Sequence, residues 1–294
     1  VLVLAITSLS AYIRLSGAGL GCADWPACYG RALRETPQSS ASTASRTPEH
    51  AAARLAHRVV ASSALLLVLV MVMACLASRP LLWREGRIAL ALLGLALFLA
   101  VLGRWSSGAR VPAVTLGNLL GGFAMLALCW RMVCSAGRAA PEPSRLATWA
   151  TLGAVLLVAQ IALGGLVSAG FAGLNCTAWP ECGDSSVVWS WQSLNPWHEP
   201  VFDATQPNHP AGALAHMVHR VGAAVLAVVL VPLGVAALRR GRRVAGVALL
   251  TLLGTQAGLG VAMIATSLPL VLALAHNLVA GLMLALLVGF SAGD

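Results

Sequence analysis

The sequence predicts an all-α polytopic membrane protein, with about eight transmembrane helices arranged as two pseudo-twofold-related four-helix bundles. Three observations lead to this prediction. The 294 residues are 59% hydrophobic and only 10% charged, and their mean hydropathy of +0.83 lies well above that of soluble domains. Apolar stretches long enough to cross a hydrocarbon core of roughly 30 Å recur along the whole chain. Several short motifs occur twice in the same order, which indicates an internal repeat.

Eight apolar segments are predicted to be helices. They lie near residues 1–13, 52–77, 88–103, 112–133, 147–169, 212–238, 244–264 and 268–290. The first segment is short for a membrane span, and it begins at Val1 without the charged region of a signal peptide. We therefore interpret it as a trimmed transmembrane helix.

Charge predicts how these helices are oriented. All nineteen basic residues are arginines, and the formal net charge is +9. The arginines that flank one side of the predicted helices are Arg79, Arg84, Arg87, Arg131, Arg138, Arg145, Arg239, Arg240, Arg242 and Arg243. The 170–211 loop on the other side has no arginine. Some first-half arginines do fall on that side, but long loops have little influence on the orientation of the helices. We expect membrane lipid and no nucleic acid as a partner, in a bacterial cytoplasmic (inner) membrane.

The repeat divides the chain into two halves. Motifs of the first half return about 155 to 160 residues later. They are GLGCADWPACYG at 18–29 and GLNCTAWPECGD at 173–184, HRVVAS at 57–62 and HRVGAA at 219–224, LLG at 92–94 and 252–254, and NLLGGFAML at 118–126 and NLVAGLMLA at 277–285. We predict halves at 1–137 and 138–294, with a cytoplasmic linker between them. Because each half has an even number of helices, the repeats are parallel and related by an axis along the membrane normal.

Each half has a loop in which two cysteines stand six positions apart around a Trp-Pro pair. The predicted topology places both loops on the outer face, where an oxidising compartment preserves disulfides. We predict the bridges Cys22–Cys28 and Cys176–Cys182, because the short loop with its internal proline can bring the sulfurs together. A redox-active thiol pair is the functional alternative, and a metal site would need more ligands than the loop offers. The absence of Cys-x-x-Cys-His argues against covalently attached haem.

Three histidines share one predicted depth in the membrane, where ionisable residues are costly and indicate function. His57, His219 and His276 lie about six to eight residues from the outer ends of their helices, or roughly 9–12 Å at 1.5 Å per residue. The helices of His219 and His276 both run inward, so that the pair can face each other across a bundle and supply both axial ligands of one haem. Zinc would need further ligands. A packing or hydrogen-bonding role is the alternative for each histidine.

Arg58 and Arg220 directly follow two of these histidines. Each points about 100° around its helix and could bind a haem propionate near the membrane surface. Snorkelling of the side chain to the interface is the alternative. The two halves differ at the position that matches His276, because the first half has Gly117 or Asn118 there. Neither is a strong haem ligand.

These motifs resemble the haem A synthase family, membrane enzymes that make haem A for cytochrome oxidase. The matching stretches, in order along nearly the whole chain, are RLSGAGLGCADWPACYG, HRVVAS, PAVTLGNLLGGF, GGLVSAGFAGLNCTAWPECG, HMVHRVGA and LAHNLVAG. The resemblance implies an eight-helix fold, extracytoplasmic cysteine loops and a haem b held by the second half. His219 and His276 match the ligands of that haem. His57 matches the first-half histidine near the substrate haem.

The implied reaction converts the C8 methyl group of haem O to a formyl group by successive oxidations. Haem b would be the electron relay and His57 the catalytic residue. The expected partners are haem O, the haem O synthase that supplies it, and an electron donor of unidentified kind. Two positions depart from the family pattern. Arg54 stands where the family often has a carboxylate, and Gly117 or Asn118 stands where the family often has a second histidine. The other functions considered are a cytochrome b that only carries electrons, and a haem-handling or transport protein.

Overall fold

The computed structural model describes residues 1–20, 24–30, 48–106, 111–136, 144–177, 182, 188–201 and 211–291. This part of the chain contains eight α-helices and confirms the all-α prediction. They are α1 (Leu2–Gly17), α2 (Pro48–Ala77), α3 (Trp83–Ser106), α4 (Pro112–Ser135), α5 (Arg145–Ala169), α6 (Ala213–Arg239), α7 (Arg243–Ala265) and α8 (Leu270–Ser291). The other regular structure in the described ranges is a short 3-10 helix, Trp191–Leu194, and an isolated bridge between Trp189 and Gly212.

Seven of these helices, α2 to α8, are long and apolar enough to cross a membrane, and the 16-residue α1 is apolar but shorter. Large apolar side chains on their outer faces are exposed, among them Val155, Val228 and Val271. Such faces would be unstable in water and are suited to lipid. The chain is therefore a multi-pass membrane protein.

Three helices extend further than the apolar pattern predicts. The first ends at Gly17 instead of near residue 13. The second begins at Pro48 instead of near residue 52, and the third runs from Trp83 to Ser106 instead of 88–103. Their added first turns include Glu49 and Glu85, acidic residues that favour a helix N-terminus. Hydropathy detects only the part of a helix that lies in the hydrocarbon region, whereas backbone hydrogen bonding continues beyond it.

The helices pack as two similar groups of four, which we call the first bundle (α1–α4) and the second bundle (α5–α8). In the first, α1 and α3 each pack against both α2 and α4, and in the second, α5 and α7 each pack against both α6 and α8. Helices α2 and α4 therefore occupy opposite corners, as do α6 and α8. Between the bundles, α1 packs against α8 and α4 against both α5 and α8. This arrangement is consistent with a pseudo-twofold relation, and the domain boundary at 137/138 stays a prediction.

Close helix packing in the second bundle depends on glycines. A Cβ atom added at Gly153 would lie 2.7 Å from the Leu230 side chain, and one added at Gly246 would lie 2.8 Å from the carbonyl oxygen of Gly234. Leu230, Met283 and Leu287 are fully buried in the resulting core. Small residues that let backbones approach closely are typical of membrane bundles, where packing replaces the hydrophobic effect as the driving force.

The two bundles also meet at the end where the cysteine loops lie. Arg14 in α1 donates a hydrogen bond from Nη1 to Oγ of Ser168 in α5, at 2.7 Å. Tyr29, which follows α1, packs edge-on between Trp25 and Phe171, with ring centroids 5.3 Å away in each case. Burial raises the pKa of the Tyr29 phenol, whose surroundings exclude water. These contacts fix the first cysteine loop against the second bundle.

Candidate functional site

His219 and His276 lie on opposite corners of the second bundle. Each is the seventh residue of its helix, counted from Ala213 in α6 and from Leu270 in α8. The two side chains are near enough to interact electrostatically. His57 is the tenth residue of α2, because that helix begins at Pro48. His219 and His276 thus lie the same number of residues from the start of their helices, and His57 lies three residues further from the start of its own.

The two flanking helices, α5 and α7, each offer a glycine to one of these imidazoles. A Cβ atom added at Gly164 in α5 would lie 2.9 Å from Cε1 of His219, and one added at Gly260 in α7 would lie 3.5 Å from Cε1 of His276. The first distance is shorter than a carbon–carbon contact allows, so His219 occupies space that a larger residue at Gly164 would fill. The position of each imidazole therefore depends on its own helix and on one flanking helix.

Gln160 in α5 is hydrogen-bonded to His219. Its Nε2 lies 3.0 Å from Nδ1 of His219 and donates to the backbone carbonyl oxygen of the same residue at 2.8 Å. The side chain is only 9% exposed. Hydropathy and spacing did not mark Gln160 as a site residue, although it is the one amide side chain in the apolar run 147–169. A lone amide in a membrane helix is itself a signal, because it needs a polar partner.

The other predicted ligand is held differently. Nδ1 of His276 is buried and makes no hydrogen bond to the described residues, and the ring interacts with the backbone of Gln256 in α7. A buried polar atom without a close partner is rare in folded proteins and calls for an explanation. A coordinated imidazole usually donates its other ring N–H to an acceptor, and the described residues supply none for this atom.

His216 lies one helical turn before His219 and is 4% exposed. Its Nδ1 is 3.0 Å from the carbonyl oxygen of Ala172 in the connection after α5. Because a carbonyl oxygen can only accept, Nδ1 carries the proton and donates. This bond ties α6 to the chain that leaves α5, and it leaves Nε2 of His216 as the acceptor nitrogen of a neutral ring.

The second cysteine loop is closed as predicted, because Cys176 and Cys182 form a disulfide. Both cysteines are buried against Ala213 and Met217 at the start of α6. Arg220 donates from Nη2 to the carbonyl oxygen of Cys176. The residue after His219 thus connects the disulfide loop to the helix of the predicted ligand.

In the first loop, Cys28 is disulfide-bonded. Its predicted partner Cys22 lies outside the described residues, and so do Trp179 and Pro180 of the second loop. The bridge Cys22–Cys28 therefore stays a prediction.

Peptide mapping without a reducing agent is expected to yield two bridges within loops, Cys22–Cys28 and Cys176–Cys182. Each closes a loop of only a few residues, and the chain-entropy relation gives such a bridge about 2 kcal/mol of stabilisation. Cys75 and Cys129 have no bridge in the described structure and should react with a thiol reagent after unfolding, as an internal control. Bridges between the two loops, or loop cysteines that alkylate without reduction, would contradict the prediction.

The first bundle presents a different arrangement around His57. The ring is partly buried, and no hydrogen bond joins it to the residues that the structure describes. Arg58 beside it is exposed. On the opposite corner, α4 contains Gly117 and Asn118 and, by its sequence, no histidine. Helix α2 thus carries His57, and the helix at the opposite corner carries no histidine.

His50 is a second residue of α2 that the sequence analysis did not single out. It is 8% exposed, in the first turn of the helix, and its Nδ1 lies 3.3 Å from Oγ of Ser16 in α1. The pair Pro48-Glu49 could have revealed it, because proline at the first position and an acidic residue in the first turn indicate a helix start. A helix that begins at Pro48 brings His50 into the bundle.

Comparison with known proteins gives consistent matches over the whole length. The family model COX15-CtaA, described as cytochrome oxidase assembly protein, matches residues 1–288. A protein named Heme A synthase from Shewanella oneidensis is 32% identical over 310 residues, which cover 98% of this chain and 92% of the relative. A protein of the same name from Methylobacterium radiotolerans is 40% identical over 152 residues, which cover 49% of this chain and 39% of that protein. The similarity to the Shewanella protein extends through both bundles.

Proposed function

Because the chain belongs to the COX15-CtaA family of cytochrome oxidase assembly proteins, we propose that it is a haem A synthase, an oxidoreductase that makes haem A for cytochrome oxidase. The match to a protein named Heme A synthase over 98% of the chain supports this. The finer proposal is that it oxidises the C8 methyl group of haem O to a formyl group. Haem O is then the substrate, and the first bundle is where it reacts.

The observation that supports a separate role for each bundle is that the two bundles differ in their histidines. In the second, His219 and His276 belong to helices on opposite corners, whereas in the first the helix opposite that of His57 has Gly117 and Asn118 at the positions that match His276 in the repeat. An iron with one protein ligand keeps an open position, whereas an iron with two does not. A substrate has to enter and leave, so the one-histidine site suits haem O.

The residues of the second bundle fit a resident haem b. His219 and His276 would be its axial ligands, since their rings come from opposite corners and Gly164 and Gly260 leave space beside them. Haem b supplies one-electron transfer when bound. What the chain itself contributes is the two ligands and the apolar packing that excludes water from them.

Arg58 and Arg220 are proposed to bind propionate carboxylates. Both directly follow a histidine, and Arg220 already donates to a backbone carbonyl in the disulfide loop. A guanidinium has five N–H donors in a planar fork, so one side chain can serve a carbonyl and a carboxylate together.

We propose that the protein is located in the bacterial cytoplasmic membrane, with both cysteine loops on the outer face. Four arginines in the α6–α7 connection support this, because arginine is enriched on the cytoplasmic side. They are Arg239, Arg240, Arg242 and Arg243. The disulfide Cys176–Cys182 lies at the other end of α6. The haem O synthase and an electron donor complete the proposed set of partners.

Extraction and identification of the pigments tests the proposed function directly. Protein purified from cells that make haem O is expected to yield haem b together with haem O or haem A. A cytochrome b that only carries electrons would yield haem b alone, because nothing in it has to bind the other two. Haem b as the sole pigment, from cells whose membranes contain haem O, would therefore contradict the proposal.

A further inference from the structure

We propose that Gln160 is a positioning residue, which sets the orientation of the His219 ring and the nitrogen on which its proton lies. The inference rests on the proposed function, since it treats His219 as an iron ligand through Nε2. It adds a residue on a third helix, α5, to the site. It also assigns a purpose to a buried amide that packing alone does not explain.

The geometry around the amide defines the protonation of the ring. Nε2 of Gln160 is 2.8 Å from the carbonyl oxygen of His219 and 3.0 Å from Nδ1 of the same residue. An amide nitrogen only donates, and its two hydrogens match these two acceptors. In this orientation Nδ1 must accept, and so the proton of the neutral imidazole lies on Nε2.

That proton is in the wrong place for iron. A coordinating nitrogen needs its lone pair, so ligation through Nε2 requires the proton on Nδ1 and an acceptor next to it. Oε1 of Gln160 is such an acceptor, because it is buried and forms no hydrogen bond with the described residues. Rotation about the last side-chain bond, which is soft in glutamine, brings Oε1 toward Nδ1. The rotation gives up the bond from Nε2 to the His219 carbonyl, a cost that coordination must offset.

The space for this rotation comes from Gly222, one turn after His219 in α6. A Cβ atom added there would collide with Oε1 of Gln160 and would lie 3.3 Å from the Leu163 side chain. The amide thus lies between α5 and α6, and the space that it needs to rotate exists because residue 222 has no side chain. His216 provides a comparison within the same helix, since its Nδ1 donates to Ala172 and its Nε2 has the free lone pair. Gln160 can give His219 that arrangement by rotating.

An acceptor on Nδ1–H makes the imidazole a stronger donor to iron and stabilises the ferric state. The test uses the full-length protein with its haem and measures the midpoint potential and the ferric low-spin spectrum. Gln160→Leu removes the acceptor and is expected to shift the potential to more positive values. Gln160→Glu supplies a stronger acceptor and is expected to shift it to more negative values, with haem content retained.

Gly222→Ala perturbs the amide without changing either partner and is expected to shift the potential in the direction of Gln160→Leu. Its matched control is Gly254→Ala in α7, where an added Cβ meets nothing within 4 Å, and the potential should not change. If Gln160→Leu does not fold, Gln160→Glu and Gly222→Ala still provide the test.

Variants that retain haem and keep the wild-type potential, whatever their thermal stability, would overturn the inference. They would show that Gln160 only joins α5 to α6. A wild-type protein without a low-spin haem b would instead overturn the proposed function, so the two failures are distinguishable.

Discussion

Alanine in place of His219 or His276 is expected to abolish the low-spin b-type haem spectrum of the purified protein. Each histidine stands on one of two opposite corners of the second bundle, and the two rings interact electrostatically. A low-spin haem of this kind requires two strong axial ligands. Loss of either one should therefore remove the whole signal and not half of it. Absorption spectra of the reduced and oxidised protein measure the effect.

His216→Ala is the matched control for this experiment. His216 lies in the same helix one turn away, it is more deeply buried than His219, and its Nδ1 is already engaged by the carbonyl of Ala172. The spectrum should persist in this variant. Should both His219→Ala and His276→Ala keep the spectrum, the ligand assignment is wrong. If His216→Ala loses it while His219→Ala does not, the ligand is the neighbouring histidine.

His57→Ala is expected to reduce the conversion of haem O to haem A to background while the spectrum of the second-bundle haem stays largely intact. The helix opposite that of His57 has Gly117 and Asn118 and no histidine, so haem O bound at His57 would have one protein ligand. This arrangement allows the substrate to be exchanged, and it makes the reaction depend on the single histidine that holds it. The measurement is the haem A formed in membranes that are supplied with haem O.

His50→Gln serves as the control in the same helix. The ring of His50 contacts Oγ of Ser16, and glutamine keeps a group that can hydrogen-bond to that hydroxyl, so conversion should continue. Two results would place the active site elsewhere. One is a His57→Ala protein that still forms haem A, and the other is a His57→Ala protein that loses the second-bundle haem instead.

A fixed relation between the bundles is needed if electrons pass from one haem site to the other. The hydrogen bond from Arg14 to Ser168 joins α1 to α5 across 154 positions of sequence. The packing of Tyr29 against Phe171 joins the first cysteine loop to the second bundle at the same end. Both contacts lie toward the predicted outer face, near the layer of the histidines. They restrain the separation of the two sites without a covalent link.

The sequence by itself determined the membrane class, the eight helices and the second-loop disulfide. These features are local, because hydropathy is summed along one helix and a six-residue separation already brings two sulfurs close. It also singled out the three histidines, since an ionisable residue within an apolar helix is conspicuous in the sequence itself. Family membership could be predicted for the same reason, as its motifs are short and contiguous.

Only the tertiary structure decided which side chains meet. Gln160 contacts His219 across 59 positions, and Arg220 contacts Cys176 across 44. It also moved the start of α2 to Pro48, which brings His50 into contact with Ser16. A contact of this kind depends on which faces of two helices oppose each other, and that is set by close packing around glycines such as Gly153, Gly222 and Gly246. The periodicity of one helix shows which residues share a face but does not show which helix will face it.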